Sequence, residues 1–380
     1  MKSIISSALP PDFSRDVRCV LGLPFDAITE VEAEALLRRN ILERRRCFMS
    51  TPNLNFAVAC LSDAAFRLSV LQSDLSLADG WPVVAYGRLS GTRLPERVAG
   101  STLFERVRAS SVRPSLSVYF FGGPNGAAQA ACKKLNTTQS GITCVGFEEP
   151  GFGSIEEMST SERIDHINKS RPDILVLALG AKKGQAWIQR NLPHLDVPVV
   201  SHLGAVVNFV AGSVKRAPTW VQSVGLEWLW RVREEPSLWR RYAGDGSAFL
   251  RLLAGRFMPR SMPLSASNSS PADYANAKTV LHRGNVGTKI ILSGPCTEKN
   301  STSIRDAFTQ ISCRREPVSL DMSAVTHLDS SSIALMTLLY GWQLKVGLGW
   351  KIPAPSAPAL SALRSAHADY LLASVRELGS

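Results

Sequence analysis

The chain has no run of about 18 uncharged apolar residues, so nothing in it reads as a bilayer-spanning helix. Metal and redox motifs are missing too. The seven cysteines, at 19, 47, 60, 132, 144, 296 and 313, include no CxxC pair and no Cys/His ligand spacing. Scattered and odd in number, they read as reduced thiols of a cytoplasmic protein. The opening stretch, MKSIISSALPPDFSRDVRCV, has a short apolar patch broken by Pro-Pro and lacks the apolar core of a secretory signal. No Walker loop, HExxH or GxSxG occurs, which removes P-loop, zincin and nucleophile-elbow chemistry. Acid is in short supply: 32 Asp and Glu stand against 43 Lys and Arg, a formal net charge of +11. Such a surplus favours an anionic partner: nucleic acid, a phosphorylated ligand or an anionic membrane face.

What is present is a large apolar fraction, 45% over 380 residues, enough for two domains with real cores. Short buried runs, SLSVYFFGG (115–123), GITCVGFEEPGFG, DILVLALG (173–180) and VPVVSHLGA, alternate with helical patterns such as ITEVEAEALLRRNILERRRC (28–47), 54–72, SERIDHINKSRP and AKKGQAWIQRNL. This alternation predicts an α/β fold with a parallel sheet covered on both faces. Ligands of such sheets sit beyond the carboxyl ends of the strands. That rule gathers Asn53, Asp79, Gly122-Gly123, Gly151 and Gly180 at one rim. Residues 261–277, SMPLSASNSSPADYANA, read as a flexible linker, and 278–380 as a second, smaller domain.

Gly122-Gly123 is too little for a dinucleotide fingerprint, and the rim has no carboxylate pair. Asp79 is the one carboxylate there, preceded by the apolar LSLA. Apolar surroundings raise a carboxyl pKa toward the range of a general base, while an Asp-Gly turn explains the same residues structurally. Arg88, Arg93 and Arg97 follow at irregular spacing among Gly91, Pro95 and Gly100, as in a loop or pocket wall. Segment 212–260 holds four of the eight tryptophans and nine Lys/Arg against four acids. An anionic membrane interface, single-stranded nucleic acid or a buried helical hairpin would each use that mixture.

Taken together, "TPNLN", "LADGWPVV", "GTRLPERVAGSTL", "FFGG", "VGFEEPGFG", "PDILVLALGAKKGQAWI", "GAVVNFVAGSVKRAPTWVQSVGLEWLWR" and "EPSLWRRY" resemble the WecG/TagA/CpsF family of bacterial glycosyltransferases, from about Phe48 to Leu253. The resemblance implies a Rossmann-like domain over 1–260 with a basic helical appendage over about 212–260. It implies inverting transfer of a sugar, often N-acetylmannosamine, from a UDP donor to a polyprenyl-diphosphate-linked saccharide, without a cofactor or obligate metal. The setting would be exopolysaccharide, capsule or other surface-glycan synthesis at the inner face of the plasma membrane. By position Asp79 corresponds to the general base, with Thr51 and Asn53 in its pocket. Substrate contacts fall to Arg97, Gly122, Gly123, Gly180, Lys182, Gln185 and Asn208. Arg216, Arg231, Arg240 and Arg241 would meet acceptor phosphates or the membrane, and nucleic acid is not an expected partner.

Departures from the family pattern bear on the donor. Asn55 stands where many relatives carry Glu, the stretch from Gly180 to Gln185 lacks the usual Pro and Glu, and Asn208 replaces a common Asp. A plain hexose, or a uronic acid drawn to Lys182 and Lys183, becomes an alternative donor. Within 278–380, "PVSLDMSAVTHLDSSSIALMTLLYGWQLKVG" resembles a STAS domain, the fold of anti-sigma factor antagonists. That implies a protein partner or a second copy of the chain, with Ser331 as a candidate phosphosite and Ser330 second. The helix N-cap reading of Asp329 and its serines stands beside it. The rival to an enzyme is a non-catalytic scaffold that senses a nucleotide sugar and acts through its STAS-like domain.

Overall fold

A computed structural model describes residues 9–111, 114–138, 140–218, 221, 227–234, 239–256, 269–284 and 287–375. The chain opens on a hairpin of β1 (Val17–Val20) and β2 (Leu23–Asp26), which the sequence reading does not anticipate. Then follow α1 (Glu30–Leu42), β3 (Cys47–Ser50), α2 (Leu54–Ser62), α3 (Ala64–Leu71), β4 (Leu75–Ser76), α4 (Trp81–Leu89) and α5 (Gly100–Ala109). The next elements are β5 (Leu116–Gly122), α6 (Ala127–Thr137), β6 (Ile142–Glu148), α7 (Ser161–Lys169), β7 (Ile174–Ala178), α8 (Ala181–Asn191), β8 (Val199–His202) and α9 (Gly204–Ala211). The appendage contributes α10 (Glu227–Glu234) and α11 (Trp239–Arg256).

Strands β3 to β8 form one parallel six-stranded sheet in the order β4-β3-β8-β7-β5-β6. Its central strands bury both faces, as their unbroken apolar runs require. Val118 and Phe120 of β5 enter one core cluster, and Tyr119 and Phe121 enter the other. The parallel α/β expectation holds, and every strand delivers its carboxyl end to the same edge. The single helix expected over 54–72 divides at Asp63, whose side chain accepts from Phe66 N and caps α3.

The C-terminal part comprises α12 (Pro271–Ala275), β9 (Lys278–Gly284), β10 (Gly287–Cys296), α13 (Thr302–Arg314), β11 (Val318–Leu328), α14 (Ser330–Lys345), β12 (Trp350–Lys351) and α15 (Ala357–Ser365). Its sheet runs β12-β11-β10-β9, with β10, β11 and β12 parallel and β9 antiparallel. Of the expected linker, 261–268 lies outside the described residues, and a capped helix follows it.

This C-terminal part is not tethered loosely. Ile290, Phe308, Leu335 and Leu339 belong to the same core cluster as Phe13, Leu23, Leu71 and Val83. Polar bonds cross the same boundary. Tyr370 Oη donates to Gly22 O at 2.7 Å, Tyr86 Oη meets His367 Nε2 at 3.0 Å, and Gln72 Nε2 donates to Gly341 O at 3.2 Å. At Gly341 a side chain would stand 2.8 Å from Leu71 Cβ, so glycine is what lets α14 and α3 touch.

The same packing corrects the phosphosite. Helix α14 is buried from Ser330 to Gln343, and Ser331 is 1% exposed. A kinase would have to unseat the helix to reach it. Asp329 is the N-cap, accepting from Ser332 N at 2.9 Å. One cysteine expectation also changes: Cys132 of α6 and Cys144 of β6 are joined as a disulfide.

Candidate active site

The site grows from the exits of β3 and β4. Asp79 N donates to Pro52 O at 3.1 Å, which locks the two exits side by side. The arginine-bearing segment is tied to the same place, because Val98 N donates to Ala78 O at 3.0 Å. Gly80 adopts φ +109°, a conformation costly for other residues, and the chain can then turn at Asp79 straight into α4. A Cβ at Gly80 would lie 3.9 Å from Asn53 Cβ. A Cβ at Gly100 would lie 3.1 Å from Thr51 Cγ2 and 2.3 Å from Leu203 Cδ2, so this glycine is what admits α5 to the cluster. Thr51, Asn53, Asp79 and the start of α5 therefore share one patch at the carboxyl edge. Asp79 is partly exposed there, and Trp81 beside it is 55% exposed at the lip.

Most of the other expected residues have a definite place. Asn53 uses its Oδ1 to accept from Phe56 N at 3.0 Å, capping α2. Gln185 is buried, its Nε2 donating to Ser50 Oγ at 3.2 Å. Gly122 and Gly123 take φ +93° and +107° at the exit of β5, and Gly180 takes φ +80° at the start of α8 with open space around it. Asn208 Oδ1 is enclosed on α9 without a hydrogen-bond partner.

The two lysines each have a contact within the protein. Lys182 Nζ pairs with Asp63 at 2.8 Å, and Lys183 Nζ donates to Gly153 O at 3.0 Å. Arg97 pairs with Glu227 of α10 at 2.5 Å, and Arg216 Nη2 donates to Thr102 Oγ1 at 2.5 Å. Arg240 is exposed on α11, stacked 5.7 Å from the Trp239 ring centre. The side chains of Arg231 and Arg241 lie outside the described residues.

Four participants escape sequence reasoning. Glu149 accepts from Gly126 N at 2.8 Å and Ala128 N at 3.0 Å, so the start of α6 already holds a carboxylate. By contrast α4, α5, α8 and α9 begin without a side-chain cap, and their first N–H groups suit an anion. Glu227 and Asp245 reach in from the appendage, Asp245 accepting from Asn55 Nδ2 at 2.7 Å. His202, at the end of β8, packs its ring against Gly184, with Nε2 enclosed and unpartnered. Burial pushes its pKa from the ordinary 6.5 down to about 4, so the imidazole is neutral. Among the described residues no three His, Cys, Asp or Glu side chains gather to hold a metal ion.

Sequence comparison places this geometry among known proteins. The glycosyl transferase WecG/TagA/CpsF family matches residues 18–262. An N-acetylglucosaminyldiphosphoundecaprenol N-acetyl-beta-D-mannosaminyltransferase of Bacillus subtilis is 27% identical over 194 residues, 51% of this chain and 73% of that protein. A protein of the same name from Bacillus spizizenii is 26% identical over 199 residues, 52% of this chain and 76% of its own length.

Proposed function

Since the chain belongs to the WecG/TagA/CpsF family of glycosyltransferases, we propose that it moves a sugar from a UDP donor to a polyprenyl-diphosphate-linked saccharide with inversion at the anomeric carbon. The observation that carries this reading is the junction of Thr51, Asn53, Asp79 and the first turn of α5 at the carboxyl edge, fixed by the Asp79–Pro52 and Val98–Ala78 backbone bonds. The relatives are named for an acceptor whose sugar is borne on diphosphoundecaprenol. They support the lipid-linked acceptor assigned here.

In this reading Asp79 accepts the proton of the acceptor hydroxyl as its oxygen forms the new bond to the anomeric carbon. The bond from that carbon to the UDP oxygen breaks on the opposite face. The leaving diphosphate gains negative charge, which Arg97, Arg216 and the uncapped helix starts would stabilise. Thr51 and Asn53 shape the wall beside the base. No helix among the described residues is long and apolar enough to cross a membrane. The lipid substrate would instead be met peripherally, by the exposed Trp239, Leu229 and Leu250 with Arg240 of the appendage.

The test is to offer the purified full-length chain a panel of UDP-sugars with a short-chain prenyl-diphosphate-sugar acceptor. Transfer from one donor, with the opposite anomeric configuration in the product, is expected. Binding of UDP-sugars without transfer to any acceptor would mean a regulatory scaffold instead.

A further inference from the structure

Arg97 lies three residues before α5 in sequence, and Arg216 bonds to Thr102 within the first turn of that helix. Both also sit near Glu30, where burial raises the carboxyl pKa and the charges of Arg106, Arg216 and Arg97 oppose that rise. Helix α5 has no side-chain cap, and Arg216 Nε is enclosed without a partner. Glu30 and Glu96 share this corner with the arginines, and a further carboxylate reaches it from the appendage. That carboxylate is Glu227, whose Oε2 lies 2.5 Å from Arg97 Nη1, with the two side chains 28% and 19% exposed.

The pair ties α10 to the segment just before α5. The other side-chain hydrogen bond described for α10, from Trp230 Nε1 to Lys215 O at 3.2 Å, stays within the appendage. Leu229 of the same helix is 51% exposed. Guanidinium binds carboxylate and phosphate oxygens with the same donor fork. A diphosphate carries more charge than a carboxylate and offers more acceptor oxygens to the same fork.

Building on the glycosyltransferase reading, we infer that Glu227 is an internal stand-in for a substrate diphosphate, holding Arg97 until that group arrives and displaces it. The resting pocket is thereby kept closed on its own side chain, and arrival of the diphosphate frees α10. One function is to hold the partly exposed Arg97 in place before the diphosphate arrives. The other is to make release of the appendage conditional on substrate.

The experiment measures binding of inorganic pyrophosphate, UDP and farnesyl diphosphate to the full-length wild type, E227Q, E227A and R97A by titration calorimetry. Removing the competing carboxylate should tighten pyrophosphate about five-fold, the scale of one partly exposed ion pair. R97A should abolish both the binding and the gain from E227Q. Hydrogen exchange in 227–234 should quicken when pyrophosphate is added to the wild type. Tightening confined to UDP assigns the corner to the donor, and tightening confined to farnesyl diphosphate assigns it to the acceptor. Equal or weaker binding by both Glu227 variants would overturn the inference and make Glu227 a support for Arg97. That failure is separable from failure of the functional reading, which shows as absence of sugar transfer by the wild type whatever E227Q does to pyrophosphate.

Discussion

Asp79 carries the heaviest load in the proposed mechanism, and its role as turn residue and its proposed role as base are separable by one substitution. Asp79→Asn keeps the shape of the turn and loses the proton acceptor. Its turnover should fall by roughly 10²–10⁴-fold while UDP affinity stays near wild type. Near-normal turnover would remove Asp79 from the chemistry. His202 makes a different prediction. Its folded pKa of about 4 lies below the ordinary 6.5, so on acidification the unfolded chain takes the proton first. The stability it contributes is complete above pH 6.5, drains away as pH falls toward 4, and amounts to at most about 3 kcal/mol. Denaturant midpoints measured between pH 7 and 4 should therefore fall less steeply for His202→Gln than for the wild type. Parallel slopes would show that the ring is solvated. The sequence marked Asp79 through its apolar lead-in and the glycine behind it. His202 carried no such mark, because a lone histidine at a strand end is ordinary until a glycine is found pressed against its ring.

At the scale of elements, the strands and most helices of the six-stranded sheet were legible because parallel strands buried on both faces read as unbroken apolar runs. The appendage was legible only as composition. That Asp245 would bond Asn55, and Glu227 bond Arg97, depends on how α10 and α11 fold back over the rim, and no local pattern encodes it. Those two contacts pin the appendage to the body at two places, one at α2 and one just before α5. The same helices present Trp239 and Leu250 outward, 55% and 66% exposed. Replacing Arg231, Arg240 and Arg241 together with Glu should release the protein from phosphatidylglycerol vesicles, at about 1 kcal/mol per basic residue near the surface. Raising the salt concentration should weaken wild-type binding in the same direction. If cosedimentation ignores both changes, the appendage is a packed hairpin and not a membrane contact.

At the scale of the whole molecule, the uncharged Ser/Ala/Pro/Asn stretch before residue 278 suggested a detachable tail, and the packing argues otherwise. SSSIALMTLLYGWQLK is apolar around its whole circumference, which is the pattern of a helix surrounded by protein. Its own small sheet covers only part of it. The β1–β2 hairpin and α3 cover the rest, so removing the C-terminal part would expose Leu21, Leu23, Leu71 and their neighbours in one stroke. Arg305 donates to Arg15 O at 2.7 Å, and Arg15 in turn pairs with Asp26 at 2.6 Å, so the hairpin would lose a polar anchor as well. Tyr86 of α4, the helix that starts at the Asp79 turn, would lose its bond to His367. A chain ending near residue 262 should consequently be insoluble or molten, without a cooperative thermal transition. A milder perturbation isolates the contact in the intact protein. Gly341→Leu forces a side chain onto Leu71 and should cost roughly 1–3 kcal/mol in unfolding free energy. A truncated protein that melts cooperatively and still transfers sugar would show that the shared core is dispensable, and that the C-terminal part is a passenger on a self-sufficient transferase.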